Sequence, residues 1–359
     1  MVLHQLNAHY QRLSTAAIGH VFDANRDVVL ITGGAHGLGH ELARRFSALG
    51  GRVAVMDIEI PIAACRVPGV AYFQGDVCVP QDLVAIDQQI RSAMGPVTVL
   101  INNASVAEGG LVLDTLFAAI DRTVDVNLKG AMYATKVFLP PMVENKRGYI
   151  VNVALTLGYM CPARLAAYGA TKLGVIAFHE GLTYELGGPL LAGFSGVKTL
   201  LVCPGQLSLG MFSDVDTPCQ WLAPKLDPDE VAKTIVKAVK HGARGEIKMP
   251  FYGKFLPIFR SMPWPVTELA RKVLGIDSAT QVYVRRPHLQ IDAPPTSVSS
   301  QDFTISDVAD DRGYLEAASS ETTHAEHTGI EATEAEVVQP ETVENDKTTD
   351  DASVVSITT

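Results

Sequence analysis

Residues 28–46 read VVLITGGAHGLGHELARRF. A β-branched, aliphatic run ends at Thr32, then Gly33, Gly37 and Gly39 follow, and an amphipathic helical pattern takes over. Strand, tight glycine turn and helix, in that order, present backbone N–H groups at a helix N-terminus to a pyrophosphate. The spacing is T-G-x-x-x-G-x-G rather than G-x-G-x-x-G, so position after the first strand gives the loop its weight.

Working outward, further strands are predicted at Arg52–Asp57, Val70–Gln74, Val97–Asn102, Gly148–Val153, Lys198–Cys203 and Glu246–Met249, after the first at Val28–Thr32. Helical patterns fill Gly37–Leu49, Gln81–Met94, Asp114–Val143, Leu165–Leu186 and Pro228–Lys240. Near-continuous apolar strands separated by helices predict an α/β protein with a single doubly wound parallel sheet, helices on both faces, over residues 26–250.

The flanks differ from this body. Residues 1–25 carry Leu3, Leu6, Tyr10, Leu13, Ala17 and Val21 at helical steps, which predicts an amphipathic N-terminal helix. His4, Gln5, Asn7 and His9 interrupt any apolar core that a cleaved signal peptide would need. Residues 251–290 form an aromatic and basic C-terminal extension, dense in Phe251, Tyr252, Phe255, Phe259 and Trp264 among Lys254, Arg260, Arg271 and Lys272. It is too short to span a bilayer; it suits interfacial attachment, with an ordinary C-terminal core or dimer segment as the rival reading. Residues 291–359 hold 16 Asp+Glu against Arg312 and Lys347, whereas the rest of the chain is at +4, so the net charge of −10 belongs to the tail. Poor in large apolar side chains, that acidic C-terminal tail is expected to be disordered.

Composition narrows the chemistry. Five cysteines without a C-x-x-C pair suit neither a disulfide framework nor a zinc site. No His/Asp/Glu cluster implies a metal, and no basic cluster with interleaved aromatics implies nucleic acid. Asp57 ends the second strand 18 residues beyond Gly39. There a carboxylate accepts hydrogen bonds from ribose hydroxyls and repels a 2′-phosphate, favouring NAD(H) over NADP(H). His36 and Arg52 add positive potential nearby, which keeps NADP(H) possible. Tyr168 and Lys172 stand four residues apart on one predicted helix face. A tyrosine titrates near ~10 in water, and a neighbouring ammonium favours its phenolate. Tyr168 is thereby a candidate acid/base for a carbonyl or alcohol oxygen.

The glycine loop, Asp76-Val77, Asn102-Asn103-Ala104, Asn127 and the Y-x-x-x-K of Tyr168–Lys172 together resemble a classical short-chain dehydrogenase/reductase over residues 26–250. The resemblance implies a Rossmann fold, NAD(P)-dependent oxidoreduction and a homodimer or homotetramer. It assigns Thr32, Gly33, Gly37, Leu38 and Gly39 to the cofactor loop. Asp76 and Val77 would flank adenine, and Asn102 and Ala104 would line the adenosine side. Lys172 beside Tyr168 would hold the nicotinamide ribose, Pro204 and Gly205 would border it, and Asn127 would support a proton-relay water.

Three departures stand out. Ser105 replaces the usual glycine of the Asn-Asn-Ala turn. Leu155 stands thirteen residues before Tyr168, where the resemblance implies a serine that hydrogen-bonds the substrate oxygen. Leu209 stands where a threonine would hold the carboxamide. Thr156 is adjacent: on a strand a one-residue shift turns it to the other face, whereas in a loop it would still reach. Two missing hydroxyls raise the alternative of a cofactor-binding pseudoenzyme or scaffold. They also fit a source that decodes a leucine codon as serine, an idea that peptide mapping excludes if native protein carries leucine at both sites.

The segment 204–226, with Leu207, Leu209, Met211, Phe212 and Trp221, is the expected substrate lid. The FHEGLTYEL stretch and the C-terminal extension resemble the retinol and hydroxysteroid subgroup of endoplasmic reticulum and lipid droplets. That resemblance implies a lipophilic alcohol, aldehyde or ketone (retinoid, steroid or fatty-acyl derivative) and a peripheral membrane position on the cytoplasmic face, otherwise a cytoplasmic one. His179, on the same helix as Tyr168, reads as packing.

Overall fold

The computed structural model describes residues 20–187, 194–212 and 224–280. The expected N-terminal helix, the acidic tail, Cys219 and the lid residue Trp221 lie outside the described residues, apart from the short stretch 20–25. Seven parallel strands form one sheet in the order β3-β2-β1-β4-β5-β6-β7. They are β1 (Val28–Thr32), β2 (Arg52–Asp57), β3 (Val70–Gln74), β4 (Val99–Asn102), β5 (Gly148–Val153), β6 (Val197–Cys203) and β7 (Gly245–Lys248).

Alternation along β1 shows how two cores are built. Val29 and Ile31 enter one, with Leu42 and Phe46 of α1 (Gly37–Ala48) and Val231 and Ile235 of α6 (Pro228–Lys240). Val28 and Leu30 enter the other, with Leu83 and Ile86 of α2 (Pro80–Met94), Phe138 of α4 (Gly130–Glu144) and Leu182 of α5 (Ala166–Glu185). Strands buried on both faces need apolar side chains in both directions, hence the unbroken VVLIT. Arg45 of α1 donates through Nε to Asp229 of α6 (2.8 Å), tying the helices of one face together.

The expected single helix over Asp114–Val143 is broken. α3 (Phe117–Val124) passes into a π-turn at Asp125–Lys129 before α4 begins. The widened turn swings Asn127 inward, where it is buried, and such turns favour functional positions. Beyond β7, where the sequence shows only an aromatic and basic extension, the chain forms α7 (Leu256–Arg260), α8 (Trp264–Leu274) and α9 (Ile276–Ala279).

Sheet order reverses between β1 and β4. Their C-terminal loops therefore part at a topological switch point, which opens a crevice there.

Candidate active site

That crevice is a cleft of about 830 Å³, bounded by the glycine loop, Asp57, the 75–78 turn, residues 103–106, Leu155, Tyr168, Lys172, Pro204 and the 207–212 segment. Its glycine end leaves little freedom for substitution. Gly33 has φ +64°, and a Cβ there would lie 2.6 Å from Ala104 Cα; one on Gly39 would lie 2.3 Å from the Gly33 carbonyl oxygen. Gly37 also has positive φ (+56°), yet nothing lies within 4 Å of where its Cβ would be. So Gly33 and Gly39 close the loop on itself and Gly37 faces the opening. No side chain caps the N-terminus of α1, leaving its N–H groups to an anion in the cleft.

The turn after β4 is held from behind. Thr32 Oγ1 donates to the Ile101 carbonyl (3.3 Å) and accepts from the N–H groups of Asn103 (3.1 Å) and Ala104 (3.2 Å). Asn103 Nδ2 donates to the Gly33 carbonyl (2.8 Å). The sequence gives Asn103 no separate signal, since its role exists only once β1 and β4 are neighbours. Asp57 Oδ2 accepts from the Ala35 N–H (2.9 Å), fixing the carboxylate at the cleft's edge. Asp76 Oδ1 accepts from the Cys78 N–H (2.8 Å), and Val77 packs on Gly130. Cys78 also lines the cleft, but burial, with the Asp76 carboxylate adding, pushes its thiol up to about 12, so it is no nucleophile at neutral pH.

Asn102 departs from its expected place on the adenosine side. It sits opposite Asn152 in the β4–β5 register, and its Nδ2 donates to Asn152 Oδ1 (2.8 Å) and Thr135 Oγ1 (3.0 Å), away from the cleft. Asn152 Nδ2 meets His179 Nδ1 at 3.2 Å. Burial holds that imidazole down at about 4, so neutral His179 accepts from the amide and belongs to a buried polar chain rather than to apolar packing alone. Thr32, Gly39 and Gly205 likewise stand behind the lining; a Cβ on Gly205 would meet Pro250 Cδ at 2.9 Å.

Tyr168 and Lys172 project from α5 into the deep end of the cleft, each buried. Lys172 Nζ lies 5.6 Å from the Tyr168 ring centroid and donates to the Val153 carbonyl (3.4 Å). Burial brings its ammonium down to about 8, still mostly charged at neutral pH. The Phe212 ring stands edge-on to Tyr168, 5.4 Å away. Asn127 acts from behind. Its Oδ1 accepts from the Val106 N–H (2.7 Å) and from Ser105 Oγ (3.2 Å), while Nδ2 donates to the Val106 carbonyl (2.9 Å) and Thr171 Oγ1 (3.2 Å). It clamps the β4 loop to α5 with its whole side chain, which leaves only its main chain for handling a proton. Thr171, the partner on α5, is a positioning residue that the sequence reading missed.

Leu155 lies in the wall beside Tyr168, in a buried apolar cluster with Leu165. Thr156 does not stand in for a hydroxyl there. Its N–H donates to the Pro204 carbonyl (2.8 Å), and its methyl faces Gly253. Its hydroxyl neighbours the Tyr252 phenol without hydrogen-bond geometry. Leu209 is exposed at the cleft's edge. Among the described residues, no group of three His, Cys, Asp or Glu side chains is placed to hold a metal.

The family profile described as short chain dehydrogenase matches residues 27–219. The chain is 34% identical over 259 residues to an uncharacterized oxidoreductase of Saccharomyces cerevisiae, covering 71% of this chain and 84% of that one. It is 33% identical over 232 residues to human estradiol 17-beta-dehydrogenase 11, covering 63% and 74%. With mouse epidermal retinol dehydrogenase 2 it shares 29% identity over 264 residues, covering 71% and 84%. Among solved structures, an actinorhodin polyketide ketoreductase with NADPH superposes with a TM-score of 0.57 at 26% identity, covering 64% of this chain and 98% of that one.

Proposed function

Because this chain belongs to the short-chain dehydrogenase family of oxidoreductases, we propose that it moves a hydride between NAD(H) and a lipophilic alcohol, aldehyde or ketone of retinoid, steroid or fatty-acyl type. The observation that carries the reading is the buried Tyr168–Lys172 pair, on one face of α5, at the deep end of the cleft that the glycine loop closes. Relatives named for estradiol and for retinol support the substrate class.

The residues fit a dinucleotide. The open space before Gly37 and the uncapped α1 N-terminus suit a pyrophosphate, and Asp57 at the edge suits ribose hydroxyls and favours NAD(H), NADP(H) binding more weakly. When bound, the nicotinamide donates or accepts the hydride. The protein's share is proton transfer and exclusion of water. Tyr168 gives its phenolic proton to the substrate oxygen in reduction and removes one in oxidation; Lys172 stabilises the phenolate. Asn127 and Thr171 fix α5 against the β4 loop, which keeps that oxygen's site in register. Phe212, Met211 and Leu155 supply an apolar wall.

A second reading rests on Leu155. Thr156 does not replace the missing hydroxyl, and an extra preorganised donor beside Tyr168 is worth on the order of 10²–10³ in rate. A chain that binds cofactor and turns over slowly or not at all is the pseudoenzyme alternative. Fluorescence titration with NADH and NADPH, followed by turnover across retinoid, steroid and fatty-aldehyde substrates, separates the two. NADH binding with turnover supports the first reading, binding without turnover the second, and no binding of either nucleotide overturns both. The reading places the enzyme where such substrates partition, at the cytoplasmic face of the endoplasmic reticulum or a lipid droplet.

A further inference from the structure

α8 is an amphipathic helix without one buried residue. Trp264, Leu269 and Val273 are 80%, 64% and 70% exposed, and Val266 is exposed on the same stripe as the last two. Phe251, Phe255 and Ile258 are exposed just upstream. Exposed cations stand among them at Lys254, Arg260 and Lys272, whereas Glu268 is the only carboxylate between residues 250 and 275. A patch of this kind in water marks a contact surface.

The patch is fixed to the cleft wall. A Cβ on Gly253 would meet Thr156 Cγ2 at 2.9 Å, and Thr156 follows Leu155. Arg271 Nη2 donates to the Cys161 carbonyl (2.9 Å), and Asp277, paired with Arg271, accepts from the Ala163 N–H (2.8 Å). A groove of about 900 Å³ between α8 and residues 159–163 is lined by Phe259, Met262 and Trp264 together with Arg260, Arg271 and Lys272.

We propose that this face seats on an anionic lipid surface, with its aromatic and aliphatic side chains at the acyl boundary and Lys254, Arg260 and Lys272 at the phosphates. Its purpose rests on the lipophilic-substrate reading: it brings the cleft wall to the phase in which such a substrate dissolves. Charge and composition select this occupant. A second copy meeting the face isologously would set like cations against one another. The acidic segment 291–359 has complementary charge but few large apolar side chains to cover this face. With eleven residues, α8 is about 16 Å long and cannot cross a bilayer.

The test is flotation of the full-length protein with phosphatidylcholine vesicles, with and without about 30% phosphatidylserine. Binding that needs phosphatidylserine is expected. Arg260→Gln with Lys272→Gln is expected to lower partitioning about 25-fold, about fivefold per charge, and Trp264→Glu with Leu269→Glu to abolish it. Failure to bind either vesicle overturns the proposal, as does binding that both double variants leave unchanged. So does a lipid-free dimer that Leu269→Glu dissociates, since the face would then be a self-interface. NADH affinity, measured on the same samples, reports folding and keeps the two readings apart. A chain that binds NADH and not vesicles loses this surface and keeps the hydride reading; one that floats without turnover keeps the surface.

Discussion

The two ends of the cleft are built to different tolerances. At the glycine end every contact is over-determined: Gly33 and Gly39 admit no side chain, and Thr32, Asn103 and Asp57 each pin a backbone group. At the deep end Tyr168 and Lys172 are held in place, but Leu155 gives the substrate oxygen nothing to accept from. Holding a dinucleotide constrains backbone geometry, which one substitution destroys. Reactivity depends on single polar atoms, which one substitution removes without disturbing the fold. An intact cofactor half thus says little about how fast the other half works.

The strongest way to break this contrast is Tyr168→Phe. It keeps the ring against Phe212 and removes the proton, so kcat should fall by about 10²–10⁴-fold while NADH affinity stays the same. A loss of NADH binding instead would make the two ends one unit. Leu155→Ser sharpens it in the other direction: it restores a hydroxyl beside Tyr168 and should raise kcat by up to about 10²-fold. Leaving a small hollow, it costs about 2–3 kcal/mol of stability, seen as a lower melting temperature. Unchanged kcat would show that the wall's apolarity does not limit the rate.

At the glycine end, Asp57→Asn keeps an acceptor for the Ala35 N–H but removes the charge. The ratio of NADPH to NADH affinity should rise by about tenfold, measured by paired fluorescence titrations. A ratio that does not move would remove Asp57 from cofactor selection.

The smallest effect lies away from the cleft. Lys198, fully buried in β6, has no hydrogen-bond partner at Nζ among the described residues, and burial, with Arg244 adding, brings it down to about 8. Lys172 is lowered likewise. Between about pH 8 and the usual lysine range near ~10.4 the unfolded chain binds more protons, so stability rises with pH there. Lys198→Met should be more stable than the parent at neutral pH by roughly 1–3 kcal/mol, with the gap closing as pH rises through that window. Urea denaturation at several pH values checks it; equal stability throughout would mean that Lys198 is solvated.

Local pattern carried most of the fold. β1, β2, β3 and β5 have the boundaries that their apolar runs define; β6 and β7 shift by one residue, where a lysine or glycine sits at the strand end, and β4 begins two residues later, at Val99. What stayed hidden was tertiary. The π-turn at Asn127 cannot be read from a 3.6-residue period, and the side chain it carries is bonded to Val106 and Thr171, far away in sequence. Asn102 looks like a cleft residue until β5 brings Asn152 opposite it. Strand alternation could not place Thr156, because β5 ends at Val153 and Thr156 opens a short 3-10 turn. The helices beyond β7 were obscured by Pro257, Pro263 and Pro265, which suit first turns here rather than breaks.

The central claim is that Tyr168 and Lys172 work on a substrate beside the nicotinamide of a bound dinucleotide. Single-turnover reaction of protein loaded with NADH deuterated at both C4 positions tests it most directly, with product analysed by mass spectrometry. The account predicts one deuterium on the former carbonyl carbon with the parent chain, more of it per unit time with Leu155→Ser, and almost none with Tyr168→Phe. Label that stays on the bound nucleotide in the parent and in Leu155→Ser alike would contradict it.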